Sequence, residues 1–277
     1  MSSTSDLPIG IFDSGVGGLT VFSAIAKALP GENLIYLGDT ARVPYGTRSA
    51  ETVCKYAQRV AGHLVNIGVK ALVVACNTAT TWALPQLQAA GRRHDIPVIG
   101  VIGPGALEAV RASQGGSIGV LGTEGTISGK RYVTELRKHD PSIEVAEMAC
   151  PLFVPLIEEG WLDDPVTELV ARRYLASMVD PDVIILGCTH YPLIQPILQK
   201  VLPKTNFVNS ATETAKAVRA CLEQHGLRRR GKTGNFRFLV TDNLERFRRV
   251  GYYFIGKEPA PLELVDLSEE DARSFGT

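Results

Sequence analysis

The sequence contains no long apolar run, no surplus of either charge and no closely spaced pair of cysteines. Its longest hydrophobic stretches are about the length of a strand, which is too short to span a bilayer. Basic and acidic residues number 29 each, so no global field favours binding to nucleic acid or to a membrane surface. Residues 1–6 are polar and lack the basic start and apolar core of a secretory leader. We therefore expect a protein that binds neither nucleic acid nor a membrane.

Cysteine usage indicates the compartment and the kind of site. The five cysteines are odd in number and widely spaced, which is typical of reduced thiols in the cytoplasm. Neither a CxxC nor a CxxH pair occurs, so a structural zinc site is not expected. A hydrophobic content of 45% with 21% charged residues is ordinary for a globular protein. We expect a cytoplasmic protein without a bound metal.

Strand-like and helix-like segments alternate along the chain, and the pattern occurs twice. Alternation of this kind predicts parallel sheets. The two blocks align at an offset of about 110 residues, which indicates an internal duplication. We therefore predict an α/β fold with two similar domains, each a mostly parallel sheet flanked by helices, related by internal pseudo-symmetry with the active site between them. The predicted first domain comprises residues 1–100 plus 211–277, and the second comprises residues 101–210.

Local signals place the individual elements. A first strand is predicted at residues 9–13, followed by a glycine-rich turn and a helix at residues 19–28. Pro85 is expected to break or begin the helix that follows the third strand. A single helix is expected to end near Lys138, and the segment after residue 211 is expected to return to the first domain.

Two apolar strands end in a cysteine that is followed by small hydroxyl or amide residues. The repeated segments are Val73-Val74-Ala75-Cys76-Asn77-Thr78 and Ile185-Leu186-Gly187-Cys188-Thr189-His190. A parallel strand that continues into a helix places its cysteine at the carboxyl edge of the sheet, where open α/β sheets bind ligands. The N–H groups and positive dipole end of a helix start favour a thiolate. Either cysteine alone is compatible with a buried structural role, but the repetition indicates two thiols that face a shared cleft.

The turn after the first strand, Asp13 to Gly18, admits two interpretations. A Gly-x-Gly between a strand and a helix is found in dinucleotide sites, and Asp39 lies where a ribose-binding acid would follow. Thr20 replaces the third glycine of that fingerprint, however, and the turn begins with an anion. A nest of backbone N–H groups for a small carboxylate therefore fits the residues better.

Charged residues elsewhere have structural as well as functional interpretations. His190 lies two residues after Cys188 and is able to act as its acid–base partner, although a histidine at a strand edge is as often structural. Glu158 and Glu159 follow an apolar stretch, where charge is usually solvated. The basic run at residues 228–230 has no interleaved aromatic residues, so we expect a solvated loop rather than a nucleic-acid groove.

Four stretches of the chain resemble the glutamate racemases of bacterial cell-wall synthesis. They are Gly10-Ile11-Phe12-Asp13-Ser14-Gly15-Val16-Gly17-Gly18-Leu19-Thr20, Leu37-Gly38-Asp39-Thr40-Ala41-Arg42-Val43-Pro44-Tyr45-Gly46, Ala75-Cys76-Asn77-Thr78-Ala79 and Gly187-Cys188-Thr189-His190-Tyr191-Pro192-Leu193. The stretches occur in the family's order, whereas related aspartate and hydantoin racemases share the two cysteines without being expected to carry all four. Asn209 departs from the aspartate expected there, and the chain after Phe236 matches weakly.

The resemblance implies a cofactor-independent 1,1-proton transfer between L- and D-glutamate, which supplies D-glutamate for peptidoglycan. By position, Cys76 would act on the D-enantiomer with help from Asp13. Cys188 would act on the L-enantiomer with help from His190 and Glu158. The implied substrate-binding residues are Asp13, Ser14, Tyr45, Gly46, Asn77, Thr78, Thr189 and His190. The resemblance also implies no cofactor or metal, glutamate as the small-molecule partner, and a homodimer.

The residues also admit other functions. A related amino-acid racemase, such as an aspartate racemase, would share the two cysteines. A pyridoxal-phosphate racemase requires a Schiff-base lysine, and no lysine lies at a predicted strand end near the repeated motifs. A non-catalytic thiol or redox protein would use Cys76 and Cys188 without exchanging the Cα proton of glutamate.

Overall fold

A computed structural model describes residues 4–178 and 180–276 of the chain. Its strands form two sheets in which every pairing between neighbours is parallel. The strands are β1 (Ile9–Asp13), β2 (Leu34–Gly38), β3 (Ala71–Val74), β4 (Val98–Gly100), β5 (Ile118–Gly122), β6 (Val145–Ala149), β7 (Val183–Gly187), β8 (Asn206–Asn209), β9 (Phe236–Val240) and β10 (Leu262–Leu264). The first sheet has the order β10-β9-β2-β1-β3-β4 and the second has the order β6-β5-β7-β8. The predicted α/β class with two parallel sheets is therefore confirmed.

The duplication predicted from the sequence is visible in the strand order. The run β2-β1-β3-β4 in the first sheet has the same connectivity as β6-β5-β7-β8 in the second. The central strands β1, β5 and β7 are buried along their whole length. Complete burial is expected for parallel strands that are covered by helices on both faces. The carboxyl ends of β1 and β3 are consequently equivalent to those of β5 and β7.

Helices connect the strands and flank both sheets. They are α1 (Leu19–Ala28), α2 (Ala50–Ile67), α3 (Asn77–Arg93), α4 (Ile102–Ser113), α5 (Glu124–Ser128), α6 (Arg131–His139), α7 (Phe153–Glu158), α8 (Pro165–Leu175), α9 (Gln195–Val201), α10 (Ser210–Gln224), α11 (Leu244–Ile255) and α12 (Glu269–Gly276). Side-chain caps fix several starts: the Ser49 Oγ accepts from the Thr52 N–H before α2, and the Asp164 carboxylate accepts from the Val166 N–H before α8. Gly68 ends α2 in the left-handed region, with φ of 90°. Within residues 4–178 and 180–276, no helix has the length and apolar character needed to cross a membrane.

Several helices differ from the prediction. α3 begins at Asn77 and continues through Pro85 without a break, because burial of its apolar face outweighs the hydrogen bond that proline removes. The helix predicted to end near Lys138 is two helices, α5 and α6, separated by a turn in which Lys130 has φ of 52°. The sequence pattern does not predict α4, because Gly103-Pro104-Gly105 resembles a turn. α7 and α12 are likewise absent from the prediction.

The C-terminal segment extends the first sheet. β9 pairs with β2 and β10 pairs with β9, as expected for a segment that returns to the first half of the chain. α10, which precedes this segment, packs against both α1 and α4. Asn209 caps α10 by accepting a hydrogen bond from the Ala211 N–H at 2.9 Å, a task that the expected aspartate would also perform. The domain boundaries at residues 100/101 and 210/211 stay a prediction.

The basic run at residues 228–230 is less solvated than predicted. The Arg229 guanidinium donates hydrogen bonds to the carbonyl oxygens of Gly31 at 2.7 Å and Thr233 at 3.0 Å. Its backbone N–H donates to the buried Glu32 carboxylate at 2.9 Å. The run therefore fastens the loop before β9 onto the turn between α1 and β2.

Candidate active site

A cavity of about 390 Å³ lies between the carboxyl edges of the two sheets. Residues that directly follow β1 and β3 line it from one side, and residues that follow β5 and β7 line it from the other. The predicted site residues on its wall are Ser14, Tyr45, Gly46, Cys76, Asn77, Thr78, Glu158, Cys188, Thr189 and His190. Asp13, the residue before Ser14, is buried. Among the described residues, no cluster of three or more histidine, cysteine or carboxylate side chains is placed to hold a metal ion.

Cys76 directly precedes α3 and caps its start. Its Sγ accepts a hydrogen bond from the Ala79 N–H at 3.4 Å and lies 3.8 Å from the Ser14 Oγ. Burial and the negative charge of Asp13 raise the pKa of the Cys76 thiol to about 12, in spite of those two contacts. The expectation of a thiolate stabilised by the helix start is therefore wrong for Cys76 in this structure, because desolvation outweighs the helix N–H groups.

Asp13 ends β1 and is almost fully buried. Its Oδ2 accepts a hydrogen bond from the Gly15 N–H at 2.9 Å, and the Gly18 N–H also stabilises the carboxylate. Its Oδ1 has no hydrogen-bond partner within the described part of the chain. Burial raises the pKa of the carboxyl, and the charge of His190 partly opposes that shift. Two N–H groups of the predicted nest, those of Gly15 and Gly18, therefore hold the chain's own carboxylate, and the binding of a ligand carboxylate there stays a prediction.

Cys188 follows β7 in a different local setting. A 3₁₀ helix (Tyr191–Ile194) comes next, since Pro196 has no N–H to donate to the carbonyl of Pro192 in a continuous α-helix. The predicted α-helix start at this cysteine is therefore wrong. Instead of the N–H groups of a helix start, a histidine neighbours this cysteine: the Cys188 Sγ lies 3.8 Å from the His190 Nδ1.

A carboxylate holds the other nitrogen of the His190 ring. The His190 Nε2 lies 3.0 Å from the Glu158 Oε1, and the Glu158 Oε2 lies 2.8 Å from the Arg246 Nη2. Burial lowers the pKa of His190, but its hydrogen bonds with Cys188 and Glu158 raise the pKa by more than burial lowers it. The net shift is therefore upward. Burial likewise raises the pKa of Glu158, but hydrogen bonds from His190 and Arg246 hold it well below its usual range. Cys188 is thus adjacent to a ring nitrogen whose protonated form is stabilised.

Neutral amide and hydroxyl groups make up much of the polar wall. The Asn77 Oδ1 accepts a hydrogen bond from the Tyr132 Oη at 2.7 Å. The Asn77 Nδ2 is buried and has no hydrogen-bond partner in the ranges that the structure describes. The Thr78 Oγ1 lies 2.9 Å from the Thr123 Oγ1 on the opposite side. These groups can donate hydrogen bonds to carboxylate oxygens without adding a charge.

Tyr45 and Gly46 shape one end of the cavity. The Tyr45 Oη donates to the Asp39 Oδ2 at 2.6 Å, so the residue weighed as a ribose-binding acid instead holds a tyrosine. A Cβ added at Gly46 would lie 2.8 Å from the Thr123 Cβ, which leaves no room for a larger side chain. The two residues therefore contribute shape and backbone groups more than free side-chain donors.

Several lining residues are missed by the sequence analysis: Val43, Pro44, Thr47, Thr123, Glu124, Pro151, Val154, Pro155 and Arg246. The internal duplication does contain a signal for Thr123. The starts of β1 and β5 are 118 − 9 = 109 residues apart, and this offset makes Thr123 the equivalent of Ser14 in the second half. No comparable signal exists for Arg246, which lies on α11 in the segment that resembles the family weakly.

Comparison with known proteins assigns the family. The family model described as Asp/Glu/Hydantoin racemase matches residues 9–218. The glutamate racemase of Geobacter metallireducens is 47% identical over 266 residues, which cover 95% of this chain and 97% of that relative. The chain belongs to the glutamate racemase family.

Solved structures of the glutamate racemase family share this fold. The Francisella tularensis glutamate racemase in complex with D-glutamate has a TM-score of 0.89 at 38% identity, covering 95% of this chain and 99% of that one. The Thermus thermophilus glutamate racemase in complex with β-chloro-D-alanine has a TM-score of 0.87 at 42% identity, covering 96% and 99%. The resemblance inferred from the four sequence stretches is confirmed.

Proposed function

We propose that this chain interconverts L- and D-glutamate by a two-base 1,1-proton transfer that needs no cofactor. The observation that carries the proposal is the position of Cys76 and Cys188 on one cavity, at equivalent strand ends of two sheets. Inversion of a Cα centre requires a base on one face and an acid on the other. Thiols at the edges of two opposed sheets can serve both faces. Membership of the glutamate racemase family supports glutamate as the substrate.

The polar wall suits a dicarboxylate with an ammonium group. The Asn77 Nδ2 is a buried donor that no described side chain satisfies, and the residues Ser14, Thr78 and Thr189 line the same cavity. The Arg246 side chain is already paired with Glu158. We infer that amide, hydroxyl and backbone groups hold the substrate, in keeping with the roles that the resemblance gives to Asn77, Thr78 and their neighbours.

In the direction from L- to D-glutamate, Cys188 passes its proton to the His190 Nδ1, 3.8 Å away, and Glu158 stabilises the imidazolium. The Cys188 thiolate then takes the Cα proton, and the electron pair of the broken C–H bond stays on the substrate carbon. The Cys76 thiol donates its proton to the opposite face, so one S–H bond forms as another breaks. The raised pKa of Cys76 suits its role as the acid in this direction.

In the direction from D- to L-glutamate, the roles of the two thiols exchange. Cys76 must then act as the base, and its thiolate needs a nearby positive charge because burial disfavours the anion. The substrate ammonium supplies that charge when it is bound. Asp13 is the helper on this side, and its own raised pKa makes it a better proton acceptor than an exposed aspartate.

We also propose the setting in which the enzyme works. The reaction requires Cys76 and Cys188 as thiols, and all five cysteines are free, which fits the reducing cytoplasm. The D-glutamate formed would supply peptidoglycan synthesis, and with it cell-wall formation and cell shape. A homodimer is the assembly that the family resemblance implies, and sedimentation velocity would measure it.

Circular dichroism of L-glutamate with purified protein and no added cofactor tests the proposal. We expect the signal to decay to zero as the enantiomers equalise, and D-glutamate should behave in the same way. Cys76→Ala and Cys188→Ala should each abolish the decay, because the mechanism has no spare base. Cys221→Ala, which alters a half-buried cysteine outside the cavity, is the matched control and should keep the wild-type rate.

Residual racemisation within about tenfold of wild type in either cavity variant would refute the two-thiol mechanism. The same assay with L-aspartate separates this function from that of an aspartate racemase. Uptake of deuterium at Cα from D₂O separates it from a thiol or redox protein, since such a protein would leave the Cα–H bond of glutamate intact.

A further inference from the structure

Glu158 is shared by two cationic side chains that come from opposite sides of the cavity. The His190 Nε2 lies 3.0 Å from its Oε1, and the Arg246 Nη2 lies 2.8 Å from its Oε2. His190 follows β7 of the second sheet, whereas Arg246 lies on α11, which follows β9 of the first. The Glu158 side chain is only 15% exposed, so this carboxylate is largely removed from solvent although Arg246 is not.

A hydrogen bond to each oxygen fixes the plane of a carboxylate, which a single bond does not. Fixing the plane of Glu158 fixes the direction from which its Oε1 meets the His190 Nε2. The orientation of the ring follows, and with it the position of Nδ1 relative to the Cys188 Sγ, 3.8 Å away. A chain of direct contacts therefore runs from α11 through Glu158 and His190 to the Cys188 thiol.

We propose that Arg246 is a positioning residue for the Cys188 half of the reaction, acting through Glu158 and His190. The proposal rests on the two-base function above and deepens it. Loss of Arg246 frees one oxygen of Glu158, lets the carboxylate rotate, and loosens the ring that must take the thiol proton. The effect should therefore fall on the chemical step more than on the binding of glutamate.

Two other roles for Arg246, substrate binding and a surface ion pair without function, compete with positioning. Arg246 also lines the cavity, so its guanidinium is within reach of a substrate carboxylate if the ion pair breaks. An ion pair whose arginine is 46% exposed is also often worth little on its own. Arg246 is hydrogen-bonded to Glu158, which is largely buried and itself contacts His190. This arrangement favours positioning over substrate binding and over a surface ion pair.

The experiment is a double-mutant cycle of Arg246→Gln and Glu158→Gln in the full chain, with initial rates for both enantiomers. Arg248→Gln is the matched control, because Arg248 lies on the same helix, is 41% exposed and pairs with Glu245 at 3.0 Å. We expect Arg246→Gln to lower kcat about 10- to 100-fold, with KM changed less than about threefold. In the Glu158→Gln background the same substitution should cause no further loss. Arg246→Lys keeps an ion pair with one oxygen and should recover part of kcat.

Each alternative gives a different result. A KM that rises about tenfold with kcat unchanged, or additive losses in the cycle, would assign Arg246 to substrate binding and overturn the proposal. If Arg246→Gln had the same rate as Arg248→Gln, the Arg246–Glu158 ion pair would be a surface contact without a role in catalysis. That result would also overturn the proposal. If Glu158→Gln alone has no measurable rate, the cycle cannot be closed. The proposal is then tested by whether Arg246→Gln lowers kcat rather than raising KM, and by whether Arg246→Lys recovers part of kcat. Failure of the wild-type chain to racemise glutamate would instead refute the proposed function itself.

Discussion

Gly17 lies in the turn between β1 and α1 and faces the residues that follow Cys188. A methyl group at Gly17 would lie 2.3 Å from the Thr189 Oγ1 and 2.4 Å from the His190 Nδ1. Ordinary contacts begin near 3.4 Å, so the shortfalls are 3.4 − 2.3 = 1.1 Å and 3.4 − 2.4 = 1.0 Å. Gly17→Ala must therefore displace His190 from the turn by about 1 Å, and a displacement of that size in a catalytic group costs on the order of 10²-fold in rate.

We expect Gly17→Ala to lower kcat/KM about 10²-fold for both enantiomers, because the equilibrium constant near unity ties the two values together. Backbone strain does not contribute, since the φ of Gly17 lies outside the left-handed region. The free energy of unfolding in urea should fall by no more than about 1–3 kcal/mol, the usual cost of overpacking. The rate assay is circular dichroism of each enantiomer.

Gly103→Ala is the matched control, because a Cβ added there meets no atom within 4 Å. It should keep the wild-type rate. If Gly17→Ala retained kcat/KM within about twofold of wild type while remaining folded, the turn would not press on His190 during catalysis. The steric reasoning would then be refuted.

Two further outcomes concern the cysteines and their helpers. Iodoacetamide labelling of Cys76, followed by mass spectrometry, should be slow near pH 7 and should rise about tenfold per pH unit, because its pKa is raised to about 12 and the thiolate is the reactive form. Saturating glutamate should protect it, and rapid labelling near pH 7 would contradict the argument from burial. Asp13→Asn should lower kcat more for D-glutamate and His190→Asn more for L-glutamate, with compensating changes in KM, because each helper acts when its own cysteine is the base. Equal effects of both substitutions on both enantiomers would leave Asp13 and His190 as structural or binding residues.

Much of the sheet architecture is predictable because its signals are local. Residues 71–74 and 183–187 are apolar along the length of a strand, and each run leads directly to a cysteine. The offset between the blocks then identifies equivalent strand ends. Parallel pairing places Cys76 at the carboxyl edge of the first sheet and Cys188 at the equivalent edge of the second. Their meeting at one cavity further requires the two sheets to face each other, which the repetition of the motif indicates and strand order alone does not.

The errors lie where distant residues decide the outcome. Pro85 is tolerated inside α3 because that helix is buried, which no local pattern reveals. The pKa of Cys76 depends on its depth in the protein and on Asp13, 63 positions earlier in the sequence (76 − 13), rather than on the adjacent helix start. Arg246 reaches Glu158 across 88 positions, and the pairing of β9 with β2 and the packing of α11 on α1 bring this helix to the cavity.

The Cys76 sulfur has a second task, because it also starts α3. The Ala79 N–H donates to the Sγ at 3.4 Å, and a thiolate accepts such a bond more strongly than a thiol does. The proposed reaction moves the sulfur between these two states, so the thiolate form should hold the first turn of α3 more tightly than the thiol form. We expect amide hydrogen exchange at Ala79 to be slower in the thiolate form, and Cys76→Ser to preserve a cap, worth about 1 kcal/mol, that Cys76→Ala removes.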